Sequence, residues 1–276
     1  SAGASSPGVS VNGRAQETAR CLAIAVLRSS TVKARAGLVE GIAAEPFARG
    51  YALGRQLGAP PQRGATFLWY DPLTGVNVDA LLRGLGEAGY PAVFGGAAGQ
   101  PWGRMVRTFQ YFGDRALSDG AVAITLDGLD LVADTTHGTD PTGIELTVTR
   151  VRDHVIEEID GRPALDVWCE HLGVEAVRDV ENTVSWALGI KPPPGATYEG
   201  MFTRTPFAID VDKRTFTLQA PIPVGSKVQV CVRTKEAVFD RALAMGRRLR
   251  ARLAGKKPVL ALSFECAARP SPFLGP

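Results

Sequence analysis

The chain has 276 residues, 45% hydrophobic and 21% charged, the profile of an ordinary globular protein. With 31 Lys and Arg against 28 Asp and Glu, the formal net charge is +3, too mild for the basic stripe of a nucleic-acid-binding domain. No apolar run approaches the roughly 18 to 20 residues that span a bilayer. The cysteines, Cys21, Cys169, Cys231 and Cys266, form no CxxC pair, a spacing that fits neither a zinc ribbon nor a thioredoxin-like motif. With no signal peptide visible, these features predict a soluble chain in the reducing cytoplasm.

Along the chain, Ser1 to Ser10 is small and polar and reads as a loop or frayed end. Cys21 to Leu27 is a continuous apolar run, the pattern of a strand buried on both faces. Helical spacing over Ala43 to Leu57 ends at Gly58 before Pro60-Pro61. A strand over Thr66 to Tyr70 precedes a helix to Leu85, with Asn77 or Asp79 near its cap. Ala92 to Phe94 is a short strand entering Gly95-Gly96-Ala97-Ala98-Gly99.

From there the pattern turns hairpin-like. Strands are expected over Val106 to Phe112, Ala121 to Leu126, Leu129 to Thr135 and Glu145 to Val151, with Asp119-Gly120 and Asp127-Gly128 as turns. His154 to Ile159 continues the series, and Pro163 suits the first turn of a helix to Leu172. A second helix is expected from Glu175 to Leu188. Strands follow at Phe207 to Ile209, Thr215 to Leu218 and Lys227 to Arg233, then a helix from Glu236 to Leu253, then a buried strand over Val259 to Phe264. The fold class expected is α+β, two-lobed, with mixed and largely antiparallel sheets flanked by helices. The change of pattern near Gly99 divides the chain into residues 1–100 and 101–276.

Five segments in order resemble the FIST family. They are Val93 to Gly99, Ser118-Asp119-Gly120-Ala121, Thr136-His137-Gly138 with Pro141-Thr142-Gly143, Glu158-Ile159-Asp160-Gly161-Arg162-Pro163-Ala164, and Leu262 to Arg269 with its Cys-x-x-Arg ending. The Asp-Gly-Arg-Pro-Ala segment is the sharpest match. The resemblance places residues 1–100 in the family's N part, incomplete at its start, and residues 101–276 in its C part, incomplete at its end. It implies a sensory, ligand-binding role in signal transduction, with amino acids or related metabolites as ligands. One branch of the family binds haem and senses nitric oxide. No kinase, cyclase or receptor segment is visible, so a signal would pass to a separate protein partner; no nucleic-acid or membrane partner is expected.

The candidate ligand contacts are Gly95, Gly96, Arg104, His137, Arg162, Cys266 and Arg269. A glycine loop after a strand brings backbone amides close to a ligand, and is equally a tight turn. It lacks the ending of a P-loop, so no nucleotide is indicated. His137, in a polar loop at a strand end, is a ligand contact, a pH-responsive group or the axial ligand of a haem; it is equally a cap of its own turn. His154 and His171 stand behind it. Arg162 and Arg269 offer guanidinium forks to a carboxylate, Arg162 with an ordinary alternative in a turn before a helix. Trp102 and Arg104 offer an aromatic wall and a charge. Cys266 is a reactive thiol or a small buried hydrophobe. A Cys266, His137 and Asp140 constellation gives the enzyme reading, which no catalytic motif supports, so binding is favoured over catalysis. The run Arg247 to Arg252 reads as a solvated helix face, with a phosphate or partner contact as its rival. No resident cofactor is expected, with haem the alternative.

Overall fold

In the computed structural model, the described residues are 1–17, 21–100, 106–173, 183–192, 198, 200–269 and 271–275. The chain forms two compact units: Ser1–Leu131 with Ser263–Ala267, and Val132–Leu262 with Ala268–Pro276. Helices and mostly antiparallel open sheets in both make the fold α+β, as expected.

The first unit contains β1 (Ala2–Ala4), β2 (Val9–Val11), β3 (Arg14–Gln16), β4 (Lys33–Glu40), α1 (Pro46–Leu57), β5 (Gly64–Tyr70), α2 (Val78–Glu87), β6 (Phe94–Ala97), β7 (Gln110–Phe112), β8 (Arg115–Leu117) and β9 (Gly120–Asp127). Its main sheet has the order β4-β9-β5-β6, antiparallel except for the β5/β6 pair. The period-two alternation of β5 and β9 sends Leu68, Ala121 and Ala123 to one face, where Leu53, Leu57, Leu81 and Leu85 of the helices meet them. Phe67 and Trp69 point the other way, and Phe264 lies 6.2 and 6.1 Å from their ring centroids.

Sequence accounts for the helix ends. Pro46 opens α1, where its missing N–H costs nothing. The Asn77 side chain accepts the Ala80 amide at 3.0 Å and caps α2. The two helices cross through glycines: a Cβ on Gly50 would lie 2.0 Å from the Leu81 carbonyl oxygen, and one on Gly84 would lie 2.1 Å from that of Phe47. Any side chain at either position would force the helices apart.

The second unit contains β10 (Thr139–Arg152), β11 (Val155–Ile159), β12 (Arg162–Pro163), α3 (Ala164–Leu172), β13 (Trp186–Ile190), β14 (Phe202–Arg204), β15 (Pro206–Asp210), β16 (Thr215–Leu218), β17 (Lys227–Arg233) and α4 (Lys235–Leu253). Its eight-stranded sheet runs β14-β13-β17-β10-β11-β16-β15, with β12 added to β11, and every pairing is antiparallel. The long β10 bridges the sheet: Thr139 pairs with Arg233 of β17, and Arg152 with Val155 of β11. Trp168 of α3 packs 5.4 Å from Phe216, in a core with Ile156, Ile159, Leu188 and Val230.

Several expectations are corrected. Cys21 to Leu27 and Val259 to Phe264 are neither strands nor buried; Ile24, Val26 and Val259 are exposed. An apolar run becomes a buried strand only where backbone partners close a ladder, and neither segment joins one among the described residues. Leu129 to Thr135 is irregular, and Trp186–Ile190 is strand rather than the end of a helix; residues 174–182 lie outside the described set. Within the first ten residues, Ala2–Ala4 pairs with Gln110–Phe112. On α4, Phe239 and Leu243 are exposed and Val238 is the buried residue.

Candidate functional site

In the second unit, the loop of residues 132–138 leads into β10 along α4. Two arginines of α4 hold the loop, and a third holds the start of β10. The Arg252 guanidinium donates to the Ala133 carbonyl at 2.7 Å, and Arg248 Nε donates to Asp134 Oδ2 at 2.8 Å. Arg241 donates to the Thr139 carbonyl at 2.8 Å and forms an ion pair with Asp140. Spacings of seven and four residues put these arginines on one helix face. The basic run is thus divided, with Arg248 and Arg252 committed to the loop. The Arg248 hydrogen bond holds the Asp134 carboxyl below the usual carboxylate range.

His137 lies half-buried in this pinned loop. Its imidazole meets the Tyr198 ring edge to face, with centroids 4.9 Å apart and planes at 89°. Tyr198 in turn stacks on Phe202 at 6.2 Å and 9°. Burial pushes His137 down to about 4, and the positive charges of Arg269, Arg233, Arg204 and Arg241 push it the same way. The side chain is therefore a neutral imidazole at neutral pH, one nitrogen a donor and the other an acceptor. Burial also raises the Tyr198 hydroxyl above its ordinary value.

Two of the surrounding arginines come from strands. Arg233, at the end of β17, is buried and donates to the carbonyls of Val184 and Ala268. Arg204, at the end of β14, donates to the Thr203 carbonyl at 3.3 Å. Its Nε is buried and has no hydrogen-bond partner among the described residues.

The residues singled out by sequence are placed as follows. His137 and Arg269 share the second unit, and the Arg269 charge acts on the imidazole. Gly95 and Gly96 lie on β6 in the first unit, in register with Leu68 and Trp69. Gly95 has φ of +138°, and a Cβ there would lie 2.0 Å from the Leu68 carbonyl oxygen, so sheet pairing itself demands this glycine. Gly96 has open space around it. Arg104 and Trp102 lie outside the described residues. Arg162 forms an exposed ion pair with Glu170 at 2.6 Å. Cys266 is exposed and belongs to the first unit. Asp140 is engaged by Arg241. His154, in the turn between β10 and β11, has its Nδ1 3.2 Å from the Leu218 carbonyl, and His171 lies in the last turn of α3. Cys231 is buried, and burial raises its thiol to about 11. Among the described residues, no group of His, Cys, Asp and Glu is arranged to hold a metal ion.

Sequence reasoning missed Tyr198, Arg204, Arg233 and Arg241. Only Arg241 carried a signal, its helical spacing to Arg248; Arg204 and Arg233 are placed by strand pairing far apart in sequence, and Tyr198 by its ring contact with His137.

Among the described residues no helix is long and apolar enough to cross a membrane. No curated protein and no solved structure matches the chain at a significant level. The family models do match: FIST N domain over residues 1–162 and FIST C domain over residues 164–276. Together they span nearly the whole sequence, so the chain belongs to the FIST family, whose domains are associated with sensory functions in signal transduction.

Proposed function

We propose that this chain is a cytoplasmic sensory module that binds a small molecule, an amino acid or related metabolite, beside His137 in its second unit. The observation that carries the reading is the placement of His137: half-buried against the Tyr198 ring, in a loop that Arg248 and Arg252 pin to one helix. A polar loop fixed this tightly presents its side chains in one geometry, which reduces the ordering cost of binding. A ligand that binds this arrangement better than any other stabilises it further, and a partner protein reads the change in population. Arg269 and Arg204 supply the charges nearest in kind to this role.

Haem is the second ligand class considered. His137 is neutral, as an axial imidazole must be. Its neighbours, however, are a tyrosine ring and guanidinium groups, which supply charge rather than the flat apolar slot that a porphyrin face requires. The described residues favour a small polar ligand.

A thermal-shift screen of amino acids and small carboxylates tests the reading. The expected result is a ligand that raises the melting temperature of the native chain and leaves His137→Ala unmoved. Equal stabilisation of both would put the binding site elsewhere. A saturable Soret band that disappears in His137→Ala would replace the metabolite with haem.

A further inference from the structure

The main sheet of the first unit has an edge at β4, which ends the order β4-β9-β5-β6 and pairs, among the described residues, only with β9. The register runs on past the strand, where the Gly41 amide donates to the Asp119 carbonyl at 2.7 Å. Hydrogen bonding alternates along an antiparallel pair. Val39, Gly37 and Arg35 therefore turn their backbone groups toward β9, while Leu38, Ala36 and Ala34 turn theirs outward. The Leu38 amide agrees with this phase, since it donates to the Gln56 side chain at 3.0 Å and not to a strand. An edge of this kind is a template for one more strand.

A segment that suits this edge is tethered directly to it. Leu22-Ala23-Ile24-Ala25-Val26 alternates large and small apolar side chains, and Leu22, Ile24 and Val26 are 80%, 74% and 86% exposed. The connection to β4 already contains a turn: the Ser29 hydroxyl oxygen accepts the amides of Thr31 and Val32 at 3.1 and 3.0 Å. A link as short as residues 28–32 lies in the range of hairpin loops, and closing it costs little chain entropy. Pairing outward from that link sets Val26 against Ala34, Ile24 against Ala36 and Leu22 against Leu38.

Both faces of the sheet accept this register. On the face away from the helices, Ala36 stands in one cross-strand row with Ile124 and Phe67, and Leu38 in the next with Val122 and Trp69. Ile24 and Leu22 extend those two apolar rows by one strand. On the helix face there is little room, since a Cβ on Gly37 would lie 3.0 Å from the Leu53 side chain. The segment brings only Ala23 and Ala25 to that side. A slip of one residue would turn Ile24 and Val26 toward α1 and leave alanines on the apolar rows, so packing selects one register.

We propose that the edge of β4 is a docking site for residues 22–26 of the same chain, which add to it as an antiparallel strand and close a hairpin. The exposed segment seen here and the docked strand are two positions of one strap. Docking replaces the Gln56 acceptor at the Leu38 amide with the Leu22 carbonyl, and pairs the outward backbone groups of Ala34 and Ala36. It also withdraws Leu22, Ile24 and Val26 from water, which is the driving force. The strap belongs to the first unit and is independent of the His137 reading.

Amide hydrogen exchange followed by NMR on the full chain tests the docked register. It hydrogen-bonds the amides of Leu22, Ile24 and Val26 and leaves those of Ala23 and Ala25 facing outward. The expected result is exchange slowed at least about tenfold at Leu22, Ile24, Val26, Ala34 and Ala36, with Ala23 and Ala25 exchanging freely. Ile24→Asp sets a charge in the row of Ile124 and Phe67 and should abolish the protection; Ala25→Asp, opposite Arg35, should keep it. The amides of β9 report in each variant that the unit is folded. Free exchange at Leu22, Ile24 and Val26 in the native chain would overturn the proposal, and so would protection at Ala23 and Ala25 in their place. Protection that appears only as protein concentration rises would overturn it by giving the edge to a second copy.

Discussion

Each unit buries a charged or titratable group in a polar network, and the two networks are built to opposite ends. In the first unit Asp71 is buried at the end of β5. Its carboxylate accepts from the Thr108 hydroxyl at 2.7 Å, the Asp119 amide at 2.9 Å and the Leu73 amide at 3.0 Å. Asp119 passes the connection on, its Oδ1 accepting the Ala43 amide at 3.0 Å. In the second unit burial and the charges of several arginines hold His137 neutral, and Arg204, one of them, has a buried Nε without a hydrogen-bond partner among the described residues. A saturated network has nothing to offer a ligand and fixes loops to a sheet. An unsaturated one is held together by the rest of the fold and has capacity left for a ligand. The contrast separates a structural buried charge from a functional one better than burial alone does.

The largest expected effect tests the saturated side. Asp71→Ala strands three donors, each worth about 1 to 3 kcal/mol when left unpaired. Urea unfolding should show a loss on the order of 4 kcal/mol, with the helices of the second unit unaffected in hydrogen exchange. A loss below about 1 kcal/mol would mean that water replaces the carboxylate and the network is not what fixes these loops. Gly95→Ala follows at roughly 3 kcal/mol, from overlap with the Leu68 carbonyl and a backbone that disfavours a side chain. Gly96→Ala, with open space at its Cβ, is the control and should be near neutral.

The same contrast explains what could be read in advance. Elements with their own local signals were legible: α1 from Pro46 and Gly58, α2 from Asn77, and β17 from its alternation over Lys227–Arg233. Elements defined by distant partners were not. β4 alternates Lys33 and Arg35 with the small Ala34 and Ala36 in its first half, and is a strand because β9 pairs with it throughout. Cys21 to Leu27 had the apolar content and lacks the ladder. The site divides likewise: His137 stood out as a polar residue in a loop, whereas Arg204 and Arg233 gain their role only through β14-β13-β17-β10 pairing.

The unsaturated side makes a pH prediction with a definite sign. The folded value for His137, about 4, lies below its ordinary value of 6.5. Between these values the unfolded chain takes up a proton that the folded chain refuses. The contribution to stability is fully present above pH 6.5, is lost as pH falls toward 4, and is flat below. With allowance for partial exposure, the loss is on the order of 2 kcal/mol. His137→Gln should flatten denaturation midpoints over that window. An unchanged slope would show that the imidazole is solvated and ordinary.

The smallest effect concerns Arg162, which shares the sharpest sequence motif and yet stands on the structural side. Its guanidinium pairs with Glu170 in the last turn of α3, and both side chains are more than half exposed. An exposed pair is worth about 0 to 1 kcal/mol, so Arg162→Ala should shift the unfolding midpoint barely beyond error. Its value lies in the comparison with Arg204→Met. If Arg162→Ala leaves ligand affinity intact while Arg204→Met removes it, an engaged arginine and an unsatisfied one have been separated by function. If both variants lose the ligand, the motif arginine leaves Glu170 on binding, and satisfaction in the free state is no guide to a role in the site.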